Sequence, residues 1–95
     1  MNKVLWKASV DKQLAKLPYY IRDKFQYWVD LVEKYGLTET MKIKGFNDET
    51  LRGNLKGKRS VRLNKAYRII YVLMAEKNGA KIIKVLEVSK HEYKK

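Results

Sequence analysis

Two arginines and one histidine carry the most specific chemistry in this sequence. Arg62 and Arg68 lie on either side of the short polar segment 64–66, and His91 is the only histidine of the chain. Guanidinium groups bind phosphate through parallel N–H donors and stabilise negative charge that grows in a transition state. Histidine, with an ordinary pKa of about 6.5, exchanges protons near neutral pH. These residue types predict a site that binds a phosphate group and moves a proton.

The two arginines belong to a predicted β-hairpin. Apolar and polar side chains alternate on both sides of residues 64–66. A three-residue loop there would place Arg62 directly opposite Arg68, which is unfavourable for like charges unless an anion lies between them. The pairing therefore predicts a bound phosphate. The alternative is a packed Arg68 that forms an ion pair with a carboxylate such as Glu87.

A second proton-exchanging candidate, Tyr93, lies close to His91. If the last strand continues through Ser89, alternation places His91 and Tyr93 on one face of that strand and Lys90 on the other. Because chain termini are often poorly ordered, the alternative is a frayed tail with no chemical role.

The net charge predicts a polyanionic partner. The chain has 95 residues, and 22 Lys and Arg against 10 Asp and Glu give a net charge of +12. The segment 51–68 is rich in Lys and Arg and contains no acid. Such an excess favours nucleic acid through counterion release, and it would also attract an acidic protein or an anionic membrane surface.

Composition excludes several classes of site. The chain has no cysteine and a single histidine, so disulfides, thiolate metal sites and multi-histidine metal sites are excluded, and we expect no metal and no cofactor. No apolar run approaches the roughly 20 residues of a membrane span, and a signal peptide is not evident. We expect one cytoplasmic domain, residues 1–95, that does not enter a membrane.

The periodicity predicts two helices near the start of the chain. A short strand is expected at 3–7, and Ser9 is placed to cap a helix that begins at Val10. Pro18 interrupts that helix. A longer helix follows and ends at Gly36. Its predicted buried face repeats every three or four residues and consists of Ile21, Phe25, Trp28, Val32 and Tyr35.

The second half predicts a sheet. Residues 37–57 read as a long linker, and loops of this length are often functional. After the basic hairpin, Asn78 and Gly79 form a tight-turn signal that joins a strand ending near Met74 to another at 80–88. The predicted fold is α+β in the order β-α-α-β-β-β, with two helices packed on one face of a small, mainly antiparallel sheet. The other face is left open.

Three segments resemble a known family. They are Gly53-Asn-Leu-Lys-Gly57-Lys-Arg-Ser60-Val-Arg62-Leu-Asn64, Ala66-Tyr67-Arg68-Ile69-Ile70-Tyr71 and Glu87-Val-Ser-Lys-His91-Glu-Tyr93. With the element order, they make nearly the whole chain similar to the RelE/ParE superfamily of bacterial type II toxins, and within it to the HigB-like mRNA interferases.

The resemblance implies a ribosome-dependent endoribonuclease that cuts mRNA in the A site without a metal, by attack of a ribose 2′-hydroxyl on the adjacent phosphorus. Arg62 and Arg68 match the paired basic positions of the family. His91 corresponds to the C-terminal acid or base, and Tyr93 is a second candidate for proton transfer or base stacking. Some members carry a basic residue where this chain has Ser60.

The resemblance also implies two kinds of contact. Lys56, Lys58, Arg59 and Lys90 are expected to bind RNA, with an ordinary solvated basic loop as the alternative. A cognate antitoxin is expected to cover the basic face with an acidic or amphipathic segment.

Two other functions fit the same sequence. A ParE-like inhibitor of DNA gyrase would use the basic scaffold to bind a protein, and a non-catalytic RNA-binding module would bind without cutting. Neither would require His91. Because one fold hosts different activities, the site has to decide among them.

Overall fold

A computed structural model describes residues 1–90, so the predicted site residues His91 and Tyr93 lie outside the described part of the chain. Its elements are β1 Asn2–Leu5, α1 Ala8–Ala15, α2 Tyr19–Tyr35, α3 Leu37–Met41, β2 Glu49–Thr50, β3 Arg59–Arg62, β4 Tyr67–Lys77 and β5 Ala80–Lys90, with single 3₁₀ turns at Lys44–Phe46 and Gly53–Leu55.

The strands form one sheet in the order β1-β5-β4-β3-β2. Strand β1 is parallel to β5, and the other neighbouring pairs are antiparallel. The α+β class and the mainly antiparallel sheet are confirmed. The predicted linker also contains α3 and β2, which sequence periodicity missed because five and two residues are too short to show a repeat.

Helix α2 supplies much of the core, although one predicted position is wrong. Four predicted residues of its apolar face are buried, and Val29 joins them, whereas Tyr35 is 58% exposed. The predicted spacing averages 3.5 residues, which drifts by about 20° per heptad on a straight helix. Over two heptads the drift carries Tyr35 to the margin of the buried face, while Gly36 ends the helix as predicted with φ +91°.

The first helix begins earlier than predicted. Helix α1 starts at Ala8 after Lys7, so Ser9 lies within its first turn, and no side chain caps it. Trp6 donates from Nε1 to Asp11 Oδ1 at 2.9 Å and stacks edge-on against Phe25. These contacts fix the start of α1 in place of a serine cap.

The helices pack on one face of the sheet, and we call the opposite face the open face, although Ile70, beside Arg68, is buried on it. Val61 and Ile69 are fully buried on the helix side, and Tyr71 packs against Trp28 with ring centroids 5.3 Å apart. Because side chains alternate along a strand, Arg62 and Arg68 belong to the open face. Within residues 1–90, no helix is long and apolar enough to cross a membrane.

Candidate active site

Arg62 and Arg68 are direct cross-strand partners. Their Cα positions pair in the β3–β4 register, as predicted from the loop length. Side chains opposite one another in this way have Cβ atoms about 4.5–5.5 Å apart. The salt bridges among residues 1–90 involve Lys42, Arg59 and Lys81, so neither arginine of the pair has a carboxylate partner there. Among residues 1–90, the two cations are thus held together without an ion-pair partner.

The Nε atom of Arg68 also indicates that the arginine pair binds an anion. It is buried and has no hydrogen-bond partner among residues 1–90. Such a donor costs about 1–3 kcal/mol when left unsatisfied, so a partner is expected in the functional state. Glu87, the carboxylate considered as an alternative partner, lies opposite Ile70 in the register and forms no ion pair with Arg68.

A pocket surrounds the two arginines. It is lined by Asn47, Glu49, Ser60, Arg62, Asn64, Lys65, Tyr67 and Arg68. The pocket combines three cations with hydroxyl and amide groups, which suits a phosphate group. It also contains one carboxylate, Glu49, which can accept a proton. In the described residues, no cluster of three or more histidines and carboxylates is arranged to hold a metal.

Asn47 and Glu49 were not predicted to belong to the site. They reach it because β2 pairs with β3, with Glu49 opposite Ser60 and Thr50 opposite Arg59. A two-residue strand inside a linker leaves no periodic signal. The only available hint was a carboxylate placed shortly before a long basic segment.

The hairpin turn is fixed by Asn64. Its Oδ1 accepts hydrogen bonds from the backbone N–H groups of Ala66 and Tyr67, each at 2.8 Å. The Leu63 N–H donates to the Tyr67 carbonyl at 2.9 Å. Asparagine favours such turns because its side chain mimics a backbone acceptor. The turn sets the register that brings the arginines together.

An ion pair with one buried member, Asp48, ties the pocket wall to the core. Asp48, whose side chain is 1% exposed, accepts from Arg59 Nε at 2.6 Å and from the Tyr71 hydroxyl. Because Asp48 lies between Asn47 and Glu49, the pair holds both pocket residues against the sheet. Arg59 is therefore engaged with Asp48 and does not line the pocket.

The same cluster changes two pKa values. Burial raises the pKa of Tyr71 far above its ordinary value, and the hydrogen bond and charge of Asp48 raise it further. Burial acts to lower the pKa of Arg59, but the hydrogen bond and charge of Asp48 outweigh it, and the pKa is raised. The neutral phenol and the charged guanidinium are both stabilised by one carboxylate.

Solved structures with a similar fold include toxins and toxin–antitoxin complexes from bacteria. The YoeB/ParE toxin from Agrobacterium tumefaciens has a TM-score of 0.69 and 18% identity, covering 95% of this chain and 99% of that chain. The toxin–antitoxin complex RelBE2 from Mycobacterium tuberculosis has a TM-score of 0.63 and 21% identity, covering 94% of this chain and 96% of that chain. The YoeB–YefM complex from Staphylococcus aureus has a TM-score of 0.67 and 16% identity, covering 97% of this chain and 99% of that chain.

The chain has the RelE/ParE-like toxin fold. A scan of protein-family models and a search of curated proteins find no match. At these identities the likeness is one of fold, which the sequence resemblance predicted.

The RelE/ParE-like fold distributes the predicted RNA-binding residues unevenly. Lys56 is exposed beside the Gly53–Leu55 turn, and Lys58 is half-buried. Lys90 is exposed at the end of β5, opposite Tyr67. None of the three lines the pocket. Ser89 lies opposite Arg68, so β5 flanks the pocket on the side away from β3.

Proposed function

We propose that this chain is the toxin of a type II toxin–antitoxin system and acts as an mRNA endonuclease of the HigB-like kind. The fold supports the toxin assignment, since the neighbours from Mycobacterium tuberculosis and Staphylococcus aureus include structures described as toxin–antitoxin complexes. The observation that carries the nuclease assignment is the Arg62–Arg68 pair, which has no carboxylate partner among residues 1–90 and whose Arg68 Nε has no hydrogen-bond partner there.

The reaction is intramolecular phosphoryl transfer. The ribose 2′-oxygen attacks the adjacent phosphorus, the bond to the 5′-oxygen breaks, and the products are a 2′,3′-cyclic phosphate and a 5′-hydroxyl. Arg68 and Arg62 bind the non-bridging oxygens, and their charge is most favourable when the pentacoordinate phosphorus carries its extra negative charge. We propose that these guanidinium groups supply the charge stabilisation and that no metal takes part.

Two proton transfers complete the reaction. A base removes the proton of the 2′-hydroxyl, and an acid protonates the departing 5′-oxygen. Glu49 is the carboxylate that lines the pocket and is proposed as base. His91 or Tyr93, which follow Ser89 in sequence, are proposed as acid. Lys56, Lys58 and Lys90 are proposed to guide RNA toward the pocket by their charge.

The substrate proposed is mRNA in the A site of a translating ribosome, so the toxin would act in the cytoplasm. A ribosome would present the codon in a fixed conformation and so align the 2′-oxygen with the phosphorus, which contributes strongly to the rate of intramolecular reactions. The proposed protein partner is an antitoxin that covers the basic face.

Primer extension on a defined mRNA with translating ribosomes tests this function. Wild type is compared with Arg68→Gln, His91→Ala and Arg22→Gln, the last being an exposed arginine on α2 that serves as the matched control. We expect A-site cuts from wild type and Arg22→Gln, and none from Arg68→Gln. Loss of cuts in His91→Ala would assign the acid to His91, and retained cuts would assign it to Tyr93.

The absence of cuts from all four proteins would overturn the nuclease proposal. A DNA supercoiling assay then tests gyrase inhibition, and salt-dependent RNA binding without cleavage would indicate a non-catalytic module.

A further inference from the structure

The side-chain amide of Asn47 is a pocket group that the described fold does not use. Asn47 lines the same pocket as Arg62 and Arg68, and its amide makes no hydrogen bond among residues 1–90. The other amide of the pocket, Asn64, uses its Oδ1 to accept two backbone N–H groups of the hairpin turn. The Asn47 amide therefore keeps both a donor and an acceptor for a molecule bound in the pocket.

The backbone at Asn47 is held in place by its two neighbours. Phe46 is buried in the core, and the buried side chain of Asp48 is paired with Arg59. Asn47 itself is exposed, has φ +44° and ends the Lys44–Phe46 turn. Asparagine tolerates this left-handed conformation, and glycine would satisfy it equally well. The turn therefore accounts for the conformation of Asn47 and leaves its amide without a structural use.

The sheet register places Asn47 beside the arginine pair. Glu49 lies opposite Ser60 in the antiparallel β2–β3 pairing. Continued back by two residues, the same register brings Asn47 level with Arg62, which lies opposite Arg68. Neighbouring strands are about 4.8 Å apart, so Asn47 is one strand from Arg62 and two strands, or about 10 Å, from Arg68. The three residues form a row with an amide at one end and two cations beyond it.

An amide in this position suits a nucleobase. A phosphate between the arginines carries a nucleoside on each side, and one of the two extends toward β2 and Asn47. Base edges present hydrogen-bond donors and acceptors in adjacent positions, which a side-chain amide matches with two hydrogen bonds. A second phosphate at the same place would be bound better by a cation than by a neutral amide.

We propose that Asn47 is a specificity-determining residue that binds the edge of one nucleobase next to the phosphate held by Arg62 and Arg68. The inference rests on the proposed nuclease function, because it assigns a further contact to the same substrate. Nδ2 donates to a ring nitrogen or keto oxygen of the base, and Oδ1 accepts from an exocyclic amine or a ring N–H. Asn47 thereby selects the nucleotide, whereas the arginines bind the phosphate of any sequence.

Two substitutions separate base recognition from support of the backbone. Asn47→Gly removes the amide and keeps the left-handed conformation. Asn47→Asp keeps the shape but leaves acceptors only, so it favours the exocyclic amines of adenine and cytosine over the keto oxygens of guanine and uracil. Asn78 provides the matched control. It is the other non-glycine residue with positive φ in the described chain, at +52°, and it lies in the β4–β5 turn outside the pocket.

The measurement is the single-turnover rate of cutting on ribosomes programmed with mRNAs that carry each base on either side of the cut. Wild type is compared with the Gly and Asp variants of Asn47 and of Asn78. At one position, the ratio between the fastest and slowest base should fall by about tenfold in Asn47→Gly and change less than about twofold in Asn78→Gly. In Asn47→Asp, the rate at adenine and cytosine relative to guanine and uracil should rise by about tenfold.

A ratio between bases distinguishes recognition from a general loss of activity. An added carboxylate near the arginines would slow cutting at every base, and this common factor cancels in the ratio. An unchanged base preference in both Asn47 variants would overturn the inference. So would an equal fall in rate at all four bases, because Asn47 would then contact the sugar–phosphate backbone. A changed preference at an unchanged melting temperature assigns the effect to the amide.

A binding measurement separates this inference from the proposed function. Fluorescein-labelled RNA trinucleotides with 2′-O-methyl groups lack the attacking hydroxyl, and anisotropy reports their affinity. If no protein cuts mRNA, base-dependent affinity that is lost in Asn47→Gly and kept in Asn78→Gly would support the base contact and overturn the nuclease. Equal affinity for all bases would overturn both. Cleavage by wild type with a base preference that is independent of Asn47 would overturn the base contact and leave the nuclease intact.

Discussion

The two faces of the β3–β4 hairpin differ in whether an arginine has a carboxylate partner. On the helix side, Arg59 is held by the buried Asp48, which also accepts from Tyr71. On the open side, Arg62 and Arg68 face each other with no carboxylate partner among residues 1–90. A cation that has its counter-ion within the fold contributes to structure, whereas paired cations without one are arranged for an external anion.

Among the substitutions that test this difference between the two faces, Arg68→Gln should have the largest effect. We expect a loss of about 10³ in cleavage rate, since a preorganised charge at the reacting phosphate is removed. Stability should stay equal or rise, because the repulsion across the hairpin is relieved. Cleavage is measured by primer extension and stability by thermal unfolding, with Arg22→Gln as control. A large fall in melting temperature would instead make Arg68 a structural residue like Arg59.

Replacing Asp48 by Ala should, unlike Arg68→Gln, lower the stability of the fold. The change leaves Arg59 and the Tyr71 hydroxyl without their shared acceptor, and we expect a loss of about 3 kcal/mol in unfolding free energy. Urea unfolding measures it, and Asp30→Ala, an exposed carboxylate on α2, is the control. Retained stability would show that the Arg59–Asp48 pair does not anchor the pocket wall.

Glu49→Gln tests whether the carboxylate on the open face acts as the base in cleavage. Glu49 is exposed, so stability should be unchanged, while the loss of a proton acceptor should slow cleavage by about 10². Single-turnover cleavage across the pH range measures the effect, and Glu39→Gln on α3 is the control. An unaltered pH profile would assign the base to another residue.

Tyr71→Phe produces the smallest effect, which depends on pH. The raised pKa of Tyr71 means that the folded state favours the neutral phenol. Its contribution is full below the unfolded pKa of about 10 and is lost as pH rises above that value, by about 1.4 kcal/mol per pH unit. Wild type should therefore lose stability faster than Tyr71→Phe in urea unfolding between about pH 9 and pH 11. Parallel curves would contradict the assignment, and Tyr35→Phe is the control.

The hairpin could be predicted because its signals are local. Alternation on both sides of Asn64 and the turn chemistry of that residue specify the register, and the register alone brings Arg62 opposite Arg68. The Asn78–Gly79 turn was predictable for the same reason, since both residues adopt positive φ.

The rest of the site depends on tertiary contacts. Asp48 and Glu49 are placed by the ion pair to Arg59 and by a two-residue strand, and neither leaves a repeat in the sequence. The sequence does not predict that Arg59 pairs with Asp48, because Arg59 stands in a run of similar cations. Its partner follows from the sheet face on which its side chain lies. Composition predicts that cations are abundant, but only packing decides which of them keep their counter-ion.

The position of β5 has a consequence for synthesis. This strand lies between β1 and β4, so β1 pairs with a segment made nearly a whole chain later, with Asn2 opposite Lys81. Contacts of such sequence separation form late and slowly. The β4–β5 hairpin assembles from neighbouring residues, and the sheet closes onto β1 only after residues 80–90 have left the ribosome. The sheet therefore gains β1 only after residues 80–90 have been made, so a nascent chain carries the arginine pair before it has the complete scaffold.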